Sequence, residues 1–385
     1  MRIALSSIIA LMYFTVLGQQ FSSRYELVKM DKSVNTFRHE AAPVVSPDGN
    51  TLYFFVQDHP ENTMGKDDTQ DIWMSKKDEM GVWMPAQHLR SPFNIHRSNQ
   101  VFTVFDDGSL FIKGGGSKGE KGFSLVTGNS IRELDVKDFK AMNKGRFYGA
   151  SMSADRKHII IYFSEKENSE FSDLYASHQQ PDGSFSRPEK LPLSTPTDDV
   201  GPFISPEHKA LYFASAGQSP GRQGGVDIYK SMRKDDSWSN WAEPVNMGKP
   251  INTSALDFYF TIDNEGNVFT SRANKALDGA QLDLYTLVPK TFKIQLKGIV
   301  YNEKTMDPLT ANVEVRVKDV QPVKLRSNAS GEFETKLPEI REYTVSANAD
   351  GFLPREQTFK LPELGADTTL LINIMLQPVA KKLLL

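Results

Sequence analysis

Residues 40 to 54 read Glu40-Ala-Ala-Pro43-Val-Val-Ser46-Pro47-Asp48-Gly49-Asn50-Thr-Leu52-Tyr53-Phe54. Val44 and Val45 close one apolar run, and Leu52 opens another. Between them lies a tight turn: proline presets φ, aspartate bonds its own backbone and glycine accepts positive φ. The runs are short and rich in β-formers, so they predict paired strands rather than a helix. Further on, Asp71-Ile72-Trp73 and Gly81-Val82-Trp83 supply a third strand, a turn and a fourth. Such a unit leaves apolar surface uncovered, and the chain supplies neighbours by repeating it.

The turn recurs at Asp106-Asp107-Gly108, Ser153-Ala-Asp155-Arg156, Ser205-Pro-Glu207-His208 and Asn264-Glu265-Gly266, with acidic residues 59, 48, 52 and 58 positions apart. A second anchor keeps the same phase: Asp71-Ile72-Trp73, Phe123-Ser124-Leu125, Asp173-Leu174-Tyr175, Asp227-Ile228-Tyr229 and Asp283-Leu284-Tyr285. Trp83-Met-Pro85, Phe185-Ser-Arg-Pro188 and Trp241-Ala-Glu-Pro244 close three of the units. Four short strands per ~50 residues predict propeller blades. The last unit lacks its closing strand, and Tyr25 to Thr36, which ends in Val34-Asn35-Thr36 much as the fourth unit ends in Ile251-Asn252-Thr253, supplies it from the other end. The expectation is an all-β chain with a five-bladed propeller over 25–288; six blades are the alternative if Asp135 to Gly149 hides another sheet.

After Phe292 the period stops and strict alternation begins. Val313, Val315 and Val317 face one way with Glu314 and Arg316 opposite, and Leu370, Ile372, Ile374 and Leu376 alternate again. This predicts a small β-sandwich over 292–378, followed by a tail, 379–385.

The chain has 385 residues, 39% hydrophobic and 10% aromatic, enough for real cores. A net charge of −3 gives no electrostatic footprint for nucleic acid. There is no cysteine, which removes disulfides, thiolate chemistry and Cys-ligated zinc. Arg2 followed by the mostly apolar run Ile3 to Leu17 reads as a signal peptide over 1–18 with cleavage before Gln19. No later stretch is long and apolar enough to span a bilayer.

The repeat resembles the WD-like propeller repeat of TolB-type envelope proteins, whose pattern is Pro-x-x-Ser-Pro-Asp-Gly followed by Leu-Tyr-Phe. The block from Leu296 to Pro378, with Gly298-Ile299-Val300, Ser330-Gly331-Glu332-Phe333 and Gly351-Phe352, is similar to the carboxypeptidase regulatory-like module, a transthyretin-like sandwich. That order of domains resembles OmpA-family envelope proteins, whose peptidoglycan-binding C-terminal domain has no counterpart here. The resemblance implies a periplasmic or outer-membrane-associated protein with envelope proteins as partners.

Candidate chemistry is sparse. Gly115-Gly116-Ser117-Lys118-Gly119 fits Gly-x-Ser-x-Gly but sits in a blade loop rather than at a strand-to-helix elbow. The seven histidines show no metal-ligand spacing. Asp67-Asp68-Thr69-Gln70-Asp71 lacks the glycine and distal glutamate of an EF-hand. No catalytic residue, metal or cofactor is expected. The leading expectation is a non-enzyme: an envelope scaffold docking partners through the loops His59–Gln70, Gly114–Gly122 and Gln218–Gly225, with Arg222 and Trp238 as anchors. By family analogy the setting is envelope maintenance or type IX secretion and gliding machinery. The alternative is a saccharide- or peptide-binding propeller, or a propeller glycosidase or lyase. The lining of the central funnel discriminates: clustered acids and aromatics favour the alternative.

Overall fold

The structure, a computed structural model, describes residues 24–114, 121–219, 221–273, 281–317, 320–337, 342–361 and 365–379. The expected leader, the Gly115–Gly119 motif and residues 380–385 of the tail lie outside the described residues. The chain divides into two compact units, Met1–Val288 and Pro289–Leu385. The described residues are nearly all β, with 27 strands in seven small sheets.

In the first unit, β1 (Tyr25–Lys29) precedes five sheets. The first holds β2 (His39–Val45), β3 (Thr51–Gln57), β4 (Gln70–Lys76) and β5 (Gln87–His88). The second holds β6 (Val101–Val104), β7 (Leu110–Lys113), β8 (Phe123–Thr127) and β9 (Ser130–Leu134). A single turn of helix, α1 (Phe139–Met142), leads to the third: β10 (Gly149–Met152), β11 (His158–Phe163), β12 (Asp173–His178) and β13 (Glu189–Lys190). The fourth comprises β14 (Asp199–Ile204), β15 (Ala210–Ser215), β16 (Asp227–Met232) and β17 (Val245–Asn246). The fifth contains β18 (Asp257–Ile262), β19 (Val268–Ala273) and β20 (Leu282–Pro289), and β1 takes its fourth place beside β20. Residues 135–148 hold α1 and no strand.

The first strands of these sheets pack in a closed cycle: β2 on β6, β6 on β10, β10 on β14, β14 on β18, and β18 back on β2. Each junction has an apolar filling. Ile72 and Ile112 lie between the first and second sheets, Phe123 and Phe163 between the second and third, Ile160 and Phe213 between the third and fourth, Tyr212 and Phe260 between the fourth and fifth, and Phe54 and Phe269 between the fifth and first. A fully buried phenylalanine contributes roughly 2–3 kcal/mol. In the second sheet, which departs furthest from the repeat, α1 compensates: Phe139 packs on Phe123 at 4.7 Å between ring centres.

Two repeated polar devices set the local geometry. At the turns, the Ser46 hydroxyl accepts the Thr51 N–H (2.9 Å) and donates to Asp48 (2.5 Å), and Ser153 repeats both bonds with His158 and Asp155. In the fifth sheet Asp263, rather than Glu265, takes this role, accepting the N–H groups of Glu265 and Asn267. The second device is a clasp on the third strand. Asn94 accepts the Ile72 N–H (2.7 Å) and donates to the Ile72 carbonyl (2.9 Å), and Asn252 does the same on Ile228. Asn35 makes this pair of bonds on Leu284, 249 residues away. The N-terminal segment thus ties down the fifth sheet by the contact that loops use elsewhere.

In the second unit, β21 (Ile294–Asn302) lies between β24 (Glu332–Leu337), antiparallel, and β27 (Thr368–Leu376), parallel. A second sheet runs β23 (Val320–Arg326), β22 (Asn312–Val317), β25 (Glu342–Asn348), β26 (Arg355–Lys360). The two sheets share one core, with Leu296, Phe333 and Ile374 from one and Val313, Val315, Tyr343 and Val345 from the other. Gly298 is required there, because a Cβ would stand 2.3 Å from the Phe333 ring.

Candidate functional site

The closed cycle of first strands leaves a cavity at each end. Where these strands begin, a funnel of about 510 Å³ is lined from all five sheets. The first sheet gives His39, Phe55 and Gln70; the second Gln100 and Lys113; the third Phe147, Tyr148, Tyr162 and Glu170; the fourth Asp198 and Val200; the fifth Leu256, Phe258 and Tyr259. Phe147 is exposed, and so is Phe171, next in sequence to Glu170.

The repeat explains how Asp198 arrives there. The first strands of three sheets carry a buried acid at their first or second residue, Glu40, Asp199 or Asp257, each bonded to a threonine four residues earlier: Thr36, Thr195 and Thr253. Burial raises the pKa of all three acids. Asp257 is also paired with Arg272 at 2.6 Å. These acids are structural and repeated. The residue before each one lines the funnel, and it differs every time: His39, Asp198 and Leu256.

Asp198 accepts the Ser172 N–H at 2.9 Å. Burial pushes its carboxyl up to about 6, Asp199 adds to the rise, and the Ser172 bond opposes it. The carboxyl therefore exchanges a proton near neutrality, as a general acid or base must. Burial lowers the pKa of His39, whose ring stacks on Phe55 and whose Nδ1 accepts the Leu282 N–H at 3.4 Å. Lys113 donates to the Ser98 hydroxyl (2.9 Å) and lies over the Tyr148 ring. Glu170, at the exposed rim, pairs with Arg146 at 2.5 Å.

The residues expected as docking anchors lie elsewhere. Trp238 is only 3% exposed, stacked on His158 at 4.4 Å and packed near Trp241 within the core, so that expectation is corrected: burial withdraws it from any docking surface. Arg222 is exposed, but its guanidinium donates to the carbonyls of Gly224 and Gly225 in its own loop, outside the funnel wall. Asp71 accepts from Thr63, His88 and Asn99, and Asp227 from Gln223, Gly224 and Asn246, whereas Asp173 and Asp283 pair with Lys190 and Lys29. No metal-ligating cluster occurs among the described residues, and none of their helices is long and apolar enough to cross a membrane. Sequence reasoning missed Asp198, Glu170, Phe147, Tyr162 and Tyr259; the available signal was the doublet Asp198-Asp199 at a point where the first and fifth units carry a single acid.

No family model and no curated protein matches the chain. Among solved structures it is similar to an exo-β-1,3-galactanase from Clostridium thermocellum (12% identity, TM-score 0.43, 80% of this chain and 78% of that one). It is also similar to an α-L-arabinofuranosidase from Lactobacillus brevis (13%, 0.38, 69% and 95%) and to a β-fructofuranosidase from Bombyx mori (9%, 0.39, 86% and 87%). At these values none lends residues or a substrate to this chain. The expectation of a non-enzyme is nevertheless corrected: the similar chains are a galactanase, an arabinofuranosidase and a fructofuranosidase.

Proposed function

We propose that the first unit is a five-bladed β-propeller closed by its N-terminal strand, that the second is a β-sandwich of the regulatory-like kind, and that the funnel takes a saccharide. The observation that carries the functional reading is the funnel wall, where Asp198 and Glu170 stand among Phe55, Phe147, Tyr148 and Phe258. Aromatic faces pack against the apolar faces of sugar rings, and a carboxyl group held partly protonated donates to a glycosidic oxygen. Asp198 is the proton donor in this reading, and Glu170 the second carboxylate. We also retain the leader over 1–18 and with it export to the cell envelope.

The test is turnover of a panel of arabino-, galacto-, fructo- and xylo-oligosaccharides by the full chain. Product release that Asp198→Asn abolishes supports the reading. If no member is bound or cleaved by the wild type, the saccharide assignment falls.

A further inference from the structure

The channel behind the funnel is closed. At its waist the five sheets enclose only about 20 Å³, room for little more than one water. Tyr162 and Tyr259 line both this waist and the funnel. Their phenol groups interact with each other, and burial raises both above the ordinary tyrosine value, Tyr162 well above it.

This plug is built into the backbone. Two residues beyond the buried acids Glu40, Asp199 and Asp257 come Ala42, Gly201 and Tyr259, all in the left-handed region with φ of 52°, 59° and 52°. Each sits at a bulge in its first strand. Glycine and alanine are the small solutions to that position. A tyrosine there is a true outlier, costing of order 1–3 kcal/mol. The cost is borne where it sends a ring across the channel. Two glycines make room: a Cβ on Gly201 would stand 2.8 Å from the Tyr259 ring, and one on Gly149 would stand 2.5 Å from the Tyr162 ring.

We infer that the funnel is blind and admits a saccharide only by a chain end, with Tyr162 and Tyr259 as the floor that sets this selectivity. The inference rests on the saccharide reading above. A through-channel or an open cleft would engage internal sugar units; a funnel stopped at its waist meets only a terminus.

The experiment compares two chains of the same sugar, one ten times the length of the other, binding to the full-length protein by calorimetry. Capacity per unit mass is expected to fall about tenfold for the longer chain, in step with the number of ends a pocket can enclose. Equal capacity per unit mass overturns the blind funnel while leaving the saccharide reading intact. No binding of either chain, across the panel, overturns both. Tyr259→Ala, checked for an unchanged fold by circular dichroism, is expected to weaken the dependence on chain ends. Tyr259→Phe keeps the ring, so the end dependence should persist with affinity lowered roughly three- to tenfold. An end dependence that survives Tyr259→Ala in a folded protein, or vanishes in Tyr259→Phe, removes the floor from its assigned role.

Discussion

The two mouths of the first unit are built from opposite ends of the same strands, and they differ in kind. One is ringed by the repeated turns and opens on a cavity of about 580 Å³ lined by Val45, Phe105, Asp107, Arg156, Phe203 and Ile262. There Asp107 is held down to about 2 by the Ser109 hydroxyl and Arg156, which pairs with it at 2.6 Å. At the other mouth the repeat lapses, and Asp198 is pushed up rather than down. Hydrogen bonds and an ion pair favour the charged form of a carboxyl, and burial disfavours it. The turn repeats thus hold a carboxyl in its charged form, whereas at the funnel the position that varies between the repeats, His39, Asp198 or Leu256, carries in the fourth sheet a carboxyl that burial pushes toward its neutral form.

The sharpest way to break this comparison is to neutralise one carboxyl at each mouth. Asp198→Asn is expected to lower saccharide turnover by ~10²–10⁴-fold, the usual worth of a positioned general acid, while Asp107→Asn leaves it unchanged. Equal losses from both variants, measured in one assay, would erase the distinction.

Next in size is the seam. Asn35→Ala leaves the buried Leu284 N–H without its partner and should destabilise the first unit by ~2–3 kcal/mol. Asn94→Ala, at the matching clasp on Ile72, should cost about as much. Denaturant melts that found Asn35→Ala neutral and Asn94→Ala costly would mean that the N-terminal segment does not close the ring.

The smallest effect is the pH dependence of stability. The folded pKa of Asp198 lies above its unfolded value of 3.8, at about 6. Its contribution is thus complete below pH 3.8 and lost as pH rises through 6. Asp198→Asn should therefore raise the melting temperature at pH 7.5, by ~1–2 kcal/mol of stability after allowance for partial solvent screening. The gain should vanish near pH 4. A variant that loses turnover yet gains stability is the signature of a group kept for chemistry. Asp107 carries the opposite sign: its contribution is present above pH 3.8 and lost as pH falls through about 2.

Much of the fold was legible because it is written in local chemistry. Ser46-Pro47-Asp48-Gly49 makes its turn through bonds within five residues, and Asn94, Asn252 and Asn35 recur at the clasp with recognisable neighbours. The third-strand anchors Asp71, Asp227 and Asp283 likewise announced positions that packing then used. Trp238 misled because an unrepeated tryptophan reads as a surface anchor, whereas here it fills a gap beside His158 and Trp241 that no sequence window shows. The candidate site was barely legible. Asp198, Tyr162 and Tyr259 belong to three different sheets and show nothing in common as sequence.

By itself, the sequence determined the strands, the turns, the period and the boundary near Pro289, since each depends on residues a few positions apart. Only the tertiary structure decided which residues face a shared void, that Tyr259 lines the narrow waist beneath it, and that Asp198 rather than its neighbour Asp199 lines the funnel. Those facts depend on bringing together segments ~50 residues apart in the repeat, where burial and a single bulge choose the direction of a side chain.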